Sequence, residues 1–236
     1  MSAPPVRVHH LTKRYGSTVA VDDLSFEIQP GAVTGFLGPN GAGKTTTLRM
    51  LLGLAEPTAG RATVFGHRYA ELEHPLATVG AVLESTTFHP WRSARRHLQI
   101  VAAAADIGPE RVDETLRLVG LADAADRRVG GFSLGMRQRL GVAAALLGRP
   151  RLLILDEPAN GLDPEGIRWL RDLLRDYVRD GNSVLVSSHL LSEVAQTVDD
   201  VVIIAAGRMR ARCPLTELTA SRLEDAFLEL TAEVSR

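Results

Sequence analysis

The residues best suited to chemistry lie in one glycine-rich run, Gly38 to Thr46, which fits the phosphate-loop pattern G-x-x-x-x-G-K-[ST]. Glycines let backbone N–H groups converge on phosphate oxygens, because no Cβ blocks the approach. A helical pattern follows the run, and the free N–H groups at a helix N-terminus favour a bound anion. In such loops the lysine reaches the β- and γ-phosphates and the next hydroxyl binds Mg²⁺. The predicted nucleotide-binding residues are Gly38, Pro39, Asn40, Gly41, Ala42, Gly43, Lys44, Thr45 and Thr46.

Two adjacent carboxylates, Asp156 and Glu157, end the apolar run at 152–155. Open α/β sheets place their ligands at the carboxyl ends of buried strands. Asp156 is therefore the candidate to hold Mg²⁺ together with Thr45, directly or through water. Glu157 is the candidate general base for a water that attacks the γ-phosphate. The alternative is an ordinary strand end with a solvated acidic turn, but the phosphate loop favours the chemical interpretation.

Apolar strands that alternate with amphipathic helices must position these residues. Such alternation predicts a mostly parallel sheet covered on both faces. The strands predicted along the chain are 32–37, 61–66, 79–84, 152–157, 183–189 and 201–207, and the helices predicted with them are 44–54, 164–181 and 190–198.

Other patterns flank or interrupt this core. Alternating side chains at 6–11 and 24–31 are typical of half-exposed strands. Alanine-rich helical patterns predict a helical insertion over about 85–150. The predicted fold class is α/β: a phosphate-loop NTPase core, an N-terminal antiparallel β subdomain and the helical insertion. Residues 1–215 form the predicted cassette, and 216–236 a C-terminal helical tail. The helices predicted within the insertion are 94–106, 109–121 and 136–148.

The bulk properties restrict the class of protein. The 236 residues suit one domain, and 45% apolar residues support a full core. The net charge of −1 gives no reason to expect nucleic acid as a partner. Cys213 is the only cysteine, so a reducing cytosol is the natural compartment. The N-terminus lacks the apolar core of a secretory signal, and the apolar runs fall short of the ~20 residues of a membrane span.

Further motifs complete a pattern that resembles the nucleotide-binding subunits of ATP-binding-cassette (ABC) transporters. They are FSLGMRQRL at 132–140, ANGLD at 159–163, His189 at the end of a strand, and Tyr15 about thirty residues before Lys44. Together with the phosphate loop and the paired acids they follow the family's order and spacing, over nearly the whole chain. The resemblance implies an ATPase that uses ATP and Mg²⁺.

The resemblance also implies roles for individual residues. Tyr15 would stack on adenine, and His189 would contact the γ-phosphate and sense its loss. Ser133 and Gly135 would cap the ATP held by a second copy of the cassette, so that ATP closes the pair and hydrolysis opens it. Asp163 would lie at the interface of the pair. Each role has a structural alternative. Tyr15 would be an ordinary tyrosine at a strand edge, and His189 a structural histidine. Asp163 would be the N-cap of the following helix, which is compatible with the interface role.

The chain departs from the usual family pattern in two places. Phe132, Leu134 and Met136 replace residues of the usual Leu-Ser-Gly-Gly-Gln signature, and Glu84 stands where a glutamine is usual. A glutamate keeps an oxygen for Mg²⁺ but adds a charge and lacks the amide donor. Both departures resemble the drug and antibiotic exporter branch, and we expect hydrolysis to survive them.

The leading functional hypothesis is an ATP-hydrolysing subunit, at the cytoplasmic face of the membrane, that energises a separate membrane permease. The expected cargo is a drug, antibiotic, lipid or similar compound, and the expected direction is export. Phe88 and Trp91 are candidates for docking the permease, with local packing as their alternative. The functional alternative is a soluble cassette ATPase that acts on ribosomes or DNA. A GTPase is disfavoured because no Asn-Lys-x-Asp motif is present. A regulatory cassette and a heterodimer of cassettes stay open.

Overall fold

The computed structural model describes residues 3–84, 87–189 and 196–217. Nine strands and six α-helices are assigned within these ranges. The strands are β1 (Val6–Tyr15), β2 (Thr18–Glu27), β3 (Val33–Leu37), β4 (Ala59–Val64), β5 (Val79–Val82), β6 (Leu152–Asp156), β7 (Ser183–Ser188), β8 (Asp200–Ala205) and β9 (Arg208–Pro214). The helices are α1 (Lys44–Leu51), α2 (Pro75–Thr78), α3 (Ala94–Ala103), α4 (Pro109–Leu118), α5 (Leu134–Leu146) and α6 (Pro164–Arg179).

A six-stranded sheet in the order β5-β6-β7-β3-β8-β9 forms the centre of the fold. The first five strands in this order pair in parallel, and β9 joins β8 antiparallel at one edge. Every residue of β3, β6 and β7 is buried, as expected for strands covered on both faces. The parallel order brings the carboxyl ends of β3, β6 and β7 to one edge of the sheet, where the predicted site residues follow.

One face of the central sheet is covered by α1 and by a smaller antiparallel sheet in the order β2-β1-β4. Phe26 of this sheet stacks on Phe36 of β3, with ring centroids 5.2 Å apart. On the opposite face of the central sheet, α3 to α6 contribute to a separate apolar cluster that includes Leu98, Leu116 and Leu140. Phe26 and Phe36 belong to the other cluster, which includes Leu24 and Leu48, and the two clusters cover opposite faces of the central sheet.

Side-chain caps begin three of the helices. The hydroxyls of Ser93 and Ser133 accept hydrogen bonds from the backbone N–H groups of Arg96 and Met136, at the start of α3 and α5. The Asp163 carboxylate accepts from Gly166 N at 2.8 Å and begins α6. Such caps satisfy N–H groups that have no partner within the helix.

The predicted fold class is confirmed, with differences at the ends of elements and at one edge. Helix α1 ends at Leu51 rather than at residue 54, because Gly53 adopts a φ of 68° that terminates helices. Strand β2 spans 18–27 rather than 24–31, and β5 ends at Val82 rather than at residue 84. The prediction missed β9, whose arginine-rich sequence suits an exposed edge rather than a buried strand.

Two predicted helices fall largely on residues that the structure does not describe. Most of 190–198 and nearly all of the tail at 216–236 lie outside the described residues. The helices found in the predicted insertion are α3, α4 and α5, which end two or three residues before the predicted positions. The exact boundaries of the cassette, the insertion and the tail stay predictions.

Candidate functional site

The glycine-rich run connects β3 to α1 at the carboxyl edge of the sheet. Gly41 and Gly43 adopt φ values of 79° and 102°, which side chains disfavour. A Cβ on Gly43 would collide with the carbonyl oxygen of Ala20 in β2, and a Cβ on Gly38 would collide with that of Ile204 in β8. The loop is thus seated closely against both sheets, and its N–H groups lead into the N-terminus of α1.

Lys44, the first residue of α1, is only 6% exposed. Its Nζ donates to the carbonyl oxygen of Gly38 at 2.6 Å, and it lies 3.2 Å from Glu157 Oε1. The ammonium group is therefore held under the loop by its carbonyls, beside a buried carboxylate. A buried charge of this kind is stable only when it is paired and hydrogen-bonded.

Asp156 ends β6 and is 2% exposed. One oxygen accepts from the Thr45 hydroxyl at 2.8 Å, and the other accepts from the Ser187 hydroxyl at 2.6 Å. The Ser187 hydroxyl in turn accepts from the backbone N–H of Glu157 at 2.9 Å. Three elements, α1, β6 and β7, therefore fix the orientation of this carboxylate.

Glu157 follows directly, is 7% exposed and has a φ of 51°. A non-glycine residue in this region carries a backbone cost of roughly 1–2 kcal/mol. Its second oxygen lies 2.8 Å from Nδ1 of His189, which comes after the end of β7. The carboxylate is thus held between Lys44 and His189.

Lys44, Glu157 and His189 line one cleft of about 580 Å³, and Asp156 lies behind its lining, hydrogen-bonded to Thr45. Tyr15, at the end of β1, is 50% exposed on its wall, and Lys13 Nζ lies 4.9 Å from the centroid of its ring. Glu84, exposed two residues after β5, lies on the same cleft. The structure therefore brings together the predicted residues Tyr15, Asn40, Gly41, Ala42, Gly43, Lys44, Thr45, Thr46, Glu84, Glu157 and His189.

Other predicted residues do not line this cleft. Gly38 and Pro39 begin the loop, and their carbonyl oxygens both lie near Lys44 Nζ. Ser133, Gly135 and Asp163 belong to the starts of α5 and α6, and none of them lines the cleft of their own chain. The N-cap alternative for Asp163 is present in the structure, and Ser133 caps α5 in the same way.

Sequence reasoning missed Ser187 and, on the wall of the cleft, Thr18, Val19, Ala20 and Asn160. Ser187 links Asp156 to Glu157, and Asn160 lines the cleft beyond the paired acids. The position of Ser187, two residues before His189 in a predicted strand, was an available signal. The pairing of β6 with β7 that brings Ser187 to Asp156 could not be read from the sequence.

The two aromatic residues after Glu84 have different surroundings. Trp91 is 71% exposed, and the guanidinium carbon of Arg128 lies 5.3 Å from the centroid of its ring. Phe88 instead packs against the buried cluster and contacts His97 edge to face, with centroids 5.0 Å apart. The local-packing alternative holds for Phe88, and Trp91 alone presents a large exposed apolar surface.

As a whole, the cleft presents the backbone of the glycine-rich loop with its N–H groups, one buried ammonium, one buried carboxylate and an imidazole, and a second buried carboxylate, Asp156, is hydrogen-bonded to Thr45 behind it. The N–H groups and the lysine suit the phosphates of a nucleotide. The carboxylates suit a divalent cation and a water that attacks phosphorus. The arrangement can therefore hold and hydrolyse a nucleoside triphosphate.

Comparisons with known proteins agree with this chemistry. The family model described as "ABC transporter" matches residues 21–160. The chain is 45% identical to the bacitracin transport ATP-binding protein BcrA of Bacillus licheniformis over 216 residues, which cover 90% of this chain and 71% of that protein.

Solved structures share the fold. The structure of an ATP-binding subunit of an ABC transporter matches with a TM-score of 0.82 and 27% identity, over 98% of this chain and 99% of that chain. A dimeric ATP-binding cassette bound to ADP and Pi in a post-hydrolysis state matches with a TM-score of 0.80 and 22% identity, over 89% and 98% of the two chains. Among the described residues, no helix combines the length and apolar character that crossing a bilayer requires. The chain belongs to the ABC transporter family, as one of its ATP-hydrolysing subunits.

Proposed function

We propose that the cleft binds ATP with Mg²⁺ and hydrolyses it through Glu157. The observation that carries this proposal is the convergence of Lys44, Glu157 and His189 on one cleft at the carboxyl edge of the sheet, with Asp156 hydrogen-bonded to Thr45 of its lining. The loop and Lys44 bind the β- and γ-phosphates, and Tyr15 offers its exposed face to the adenine. The nucleotide thus spans the cleft from β1 to the paired acids.

Glu157 orients the attacking water and accepts its proton as the oxygen approaches phosphorus. Its 2.8 Å contact with His189 fixes the rotamer of the carboxylate, and the imidazole then responds to the γ-phosphate. Lys44 stabilises the charge on the phosphoryl oxygens in the transition state. Once phosphate leaves, the contacts that the γ-phosphate made with these residues are lost.

The donor set fits Mg²⁺. The Thr45 hydroxyl and the Asp156 carboxylate, joined by a 2.8 Å hydrogen bond, place two hard oxygen donors side by side, which is the ligand type that Mg²⁺ prefers. Mg²⁺ in nucleotide sites takes few protein ligands and completes its shell with phosphates and water. When bound, it neutralises charge on the β- and γ-phosphates. Thr45 and Asp156 would hold it, with Glu84 as a further oxygen at the cleft wall.

A second copy of the cassette completes the site in our proposal. Ser133 and Gly135 lie at the start of α5, outside the cleft of their own chain, where they are available to the nucleotide of a partner. The dimeric, ADP- and Pi-bound cassette of the same fold supports this arrangement. ATP then stabilises the closed pair, because it contacts both subunits only in that state.

In this proposal, the closing and opening of the pair drive a conformational change in a membrane permease. We propose that the cassette docks on the cytoplasmic side of that permease and drives export of an antibiotic-like compound. The relative described as a bacitracin transport ATP-binding protein supports the choice of cargo. Trp91, which is exposed and follows Glu84 by seven residues in the sequence, is the proposed docking residue.

Phosphate release from MgATP by the purified full chain tests the hydrolytic proposal. Glu157→Gln should lower kcat by about 10²–10⁴-fold, because it removes the proton acceptor, while ATP binding persists. Glu165→Gln removes an exposed acid from the first turn of α6 and serves as the matched control, which should keep the parental rate. Equal turnover by the parent and the Glu157→Gln variant would overturn the proposal.

A further inference from the structure

Leu134, the first residue of α5, makes a contact that the proposed function does not use. It is 51% exposed, although it is a large apolar residue, and its Cδ2 lies over Gly161. A Cβ at position 161 would collide with that methyl group. Gly161 also has a φ of 73°, which favours glycine. The Leu134 side chain therefore packs in the space that the absence of a side chain at Gly161 leaves open.

The contact is reciprocal. Leu162 Cδ2 covers Gly135, at 3.5 Å from where a Cβ would stand, which is ordinary van der Waals contact. Each of the two segments thus supplies a leucine that covers a glycine of the other. A second link lies further along the same helices, where the guanidinium of Arg139 stacks over the ring of Trp169 at 4.2 Å. Helices α5 and α6 are therefore joined at their starts and again one to two turns later.

The turn that receives Leu134 begins at the hydrolytic carboxylate. Asn160 N donates to the carbonyl oxygen of Glu157 at 3.2 Å, and Leu162 N donates to that of Ala159 at 3.0 Å. This hydrogen-bonded turn runs from Glu157 to the α6 cap at Asp163. Gly161, which Leu134 covers, is therefore four residues of hydrogen-bonded backbone away from Glu157.

We propose that Leu134 is a positioning residue, which couples the capping segment Ser133–Gly135 to the turn 157–163 of the same chain. Capping of the partner's ATP then sets the geometry of the chain's own Glu157, so that the two ATP sites of a pair act cooperatively. The inference rests on the proposed pairing function. The usual family signature has glycine at this position, and a glycine has no side chain with which to contact position 161. The proposed coupling therefore depends on the leucine of this chain.

The inference is tested by measuring how strongly the full chain pairs when MgATP is bound. Sedimentation measures the pairing, and all variants measured in this way carry Glu157→Gln. Leu134→Gly should weaken pairing about tenfold, because the capping segment loses its support. Leu134→Met keeps a flexible apolar side chain of similar volume and should pair within about twofold of the parent. With Glu157 intact, Leu134→Gly should lower the Hill coefficient for ATP toward one, while single subunits keep their ATP affinity.

A double-mutant cycle separates the contact from general destabilisation. Gly161→Ala should weaken pairing, because the new methyl collides with Leu134. In Leu134→Gly/Gly161→Ala the collision is gone, so the combined loss should be smaller than the product of the single losses by at least about threefold. Circular dichroism and urea unfolding confirm that each variant folds.

The outcomes distinguish the inference from the function on which it rests. If the Glu157→Gln parent does not pair with MgATP, the proposed pairing function fails and the inference fails with it. If the parent pairs and Leu134→Gly pairs equally well, or the two single losses multiply independently, only the inference is overturned.

Discussion

Glu157 combines three features that are rarely found together in a merely structural acid. It is almost fully buried, its backbone lies in the left-handed region, and its two oxygens face Lys44 and His189. Backbone strain of this kind persists only where the surroundings impose it, and it clusters at functional sites. The residue geometry therefore supports the hydrolytic role independently of the family match.

Glu84 is the residue whose chemistry departs most from the family pattern. Removing its charge by Glu84→Gln should raise the Mg²⁺ concentration needed for half-maximal hydrolysis about fivefold, since roughly 1 kcal/mol of attraction is lost in water-like surroundings. Hydrolysis itself should persist. Titrating phosphate release with Mg²⁺ at saturating ATP measures the change.

Glu110→Gln, an exposed acid in the first turn of α4, is the control for this experiment and should leave the Mg²⁺ dependence unchanged. A Glu84→Gln variant with the parental Mg²⁺ dependence would show that the Glu84 carboxylate takes no part in holding the ion.

At the scale of elements, the loop between β3 and α1 depends on close backbone contact with β2. Gly43→Ala adds a methyl that collides with the Ala20 carbonyl and meets Val21 Cγ2 at 3.3 Å, on a backbone with φ of 102°. We expect ATP affinity to fall by at least about tenfold and the free energy of unfolding to fall by about 1–3 kcal/mol. Calorimetric ATP titration and urea unfolding measure both.

Gly31→Ala is the matched control, because its φ is 67° and nothing lies within 4 Å of the added methyl. It carries similar backbone strain without the collision, and should therefore lose some stability but keep its ATP affinity. Equal ATP affinity in the two variants would contradict the proposed seating of the loop.

The strongest sequence patterns correctly predicted the elements that carry the chemistry. Prediction failed for residues whose structure depends on how strands pair with one another. The loop at 38–46 and the acids after 152–155 were readable, because glycine spacing and a fully apolar strand are local signals. Strand β9 and Ser187 were missed, because each acquires its role from a neighbouring strand. Leu134 read as a departure from a motif, and only the fold brings it to Gly161.

At the scale of the whole molecule, His97 links the stability of the helical region to pH. Burial, followed by the charge of Arg92, lowers the pKa of His97 below its usual value of 6.5. The unfolded chain therefore takes up the proton first as pH falls. The free energy of unfolding should decline as pH drops below 6.5 toward the folded-state pKa of His97.

Urea unfolding between pH 7.5 and pH 5.5 measures this decline, which should be smaller in His97→Gln. His67→Gln, on an exposed turn, is the control and should follow the parent. Identical pH profiles for the parent and His97→Gln would contradict the burial of this imidazole against Phe88.

The predictions of the fold class, the family and an ATPase that energises transport are confirmed, and the structure brings Lys44, Glu157 and His189 to one cleft. The most direct test of that placement is a crystal structure of the full-length Glu157→Gln variant with MgATP. We expect the triphosphate in the loop at 38–46, with the γ-phosphate against Lys44 and His189 and with Ser133 of a second copy on its far side. A triphosphate bound away from Lys44, or one left uncapped in a single cassette, would contradict the account.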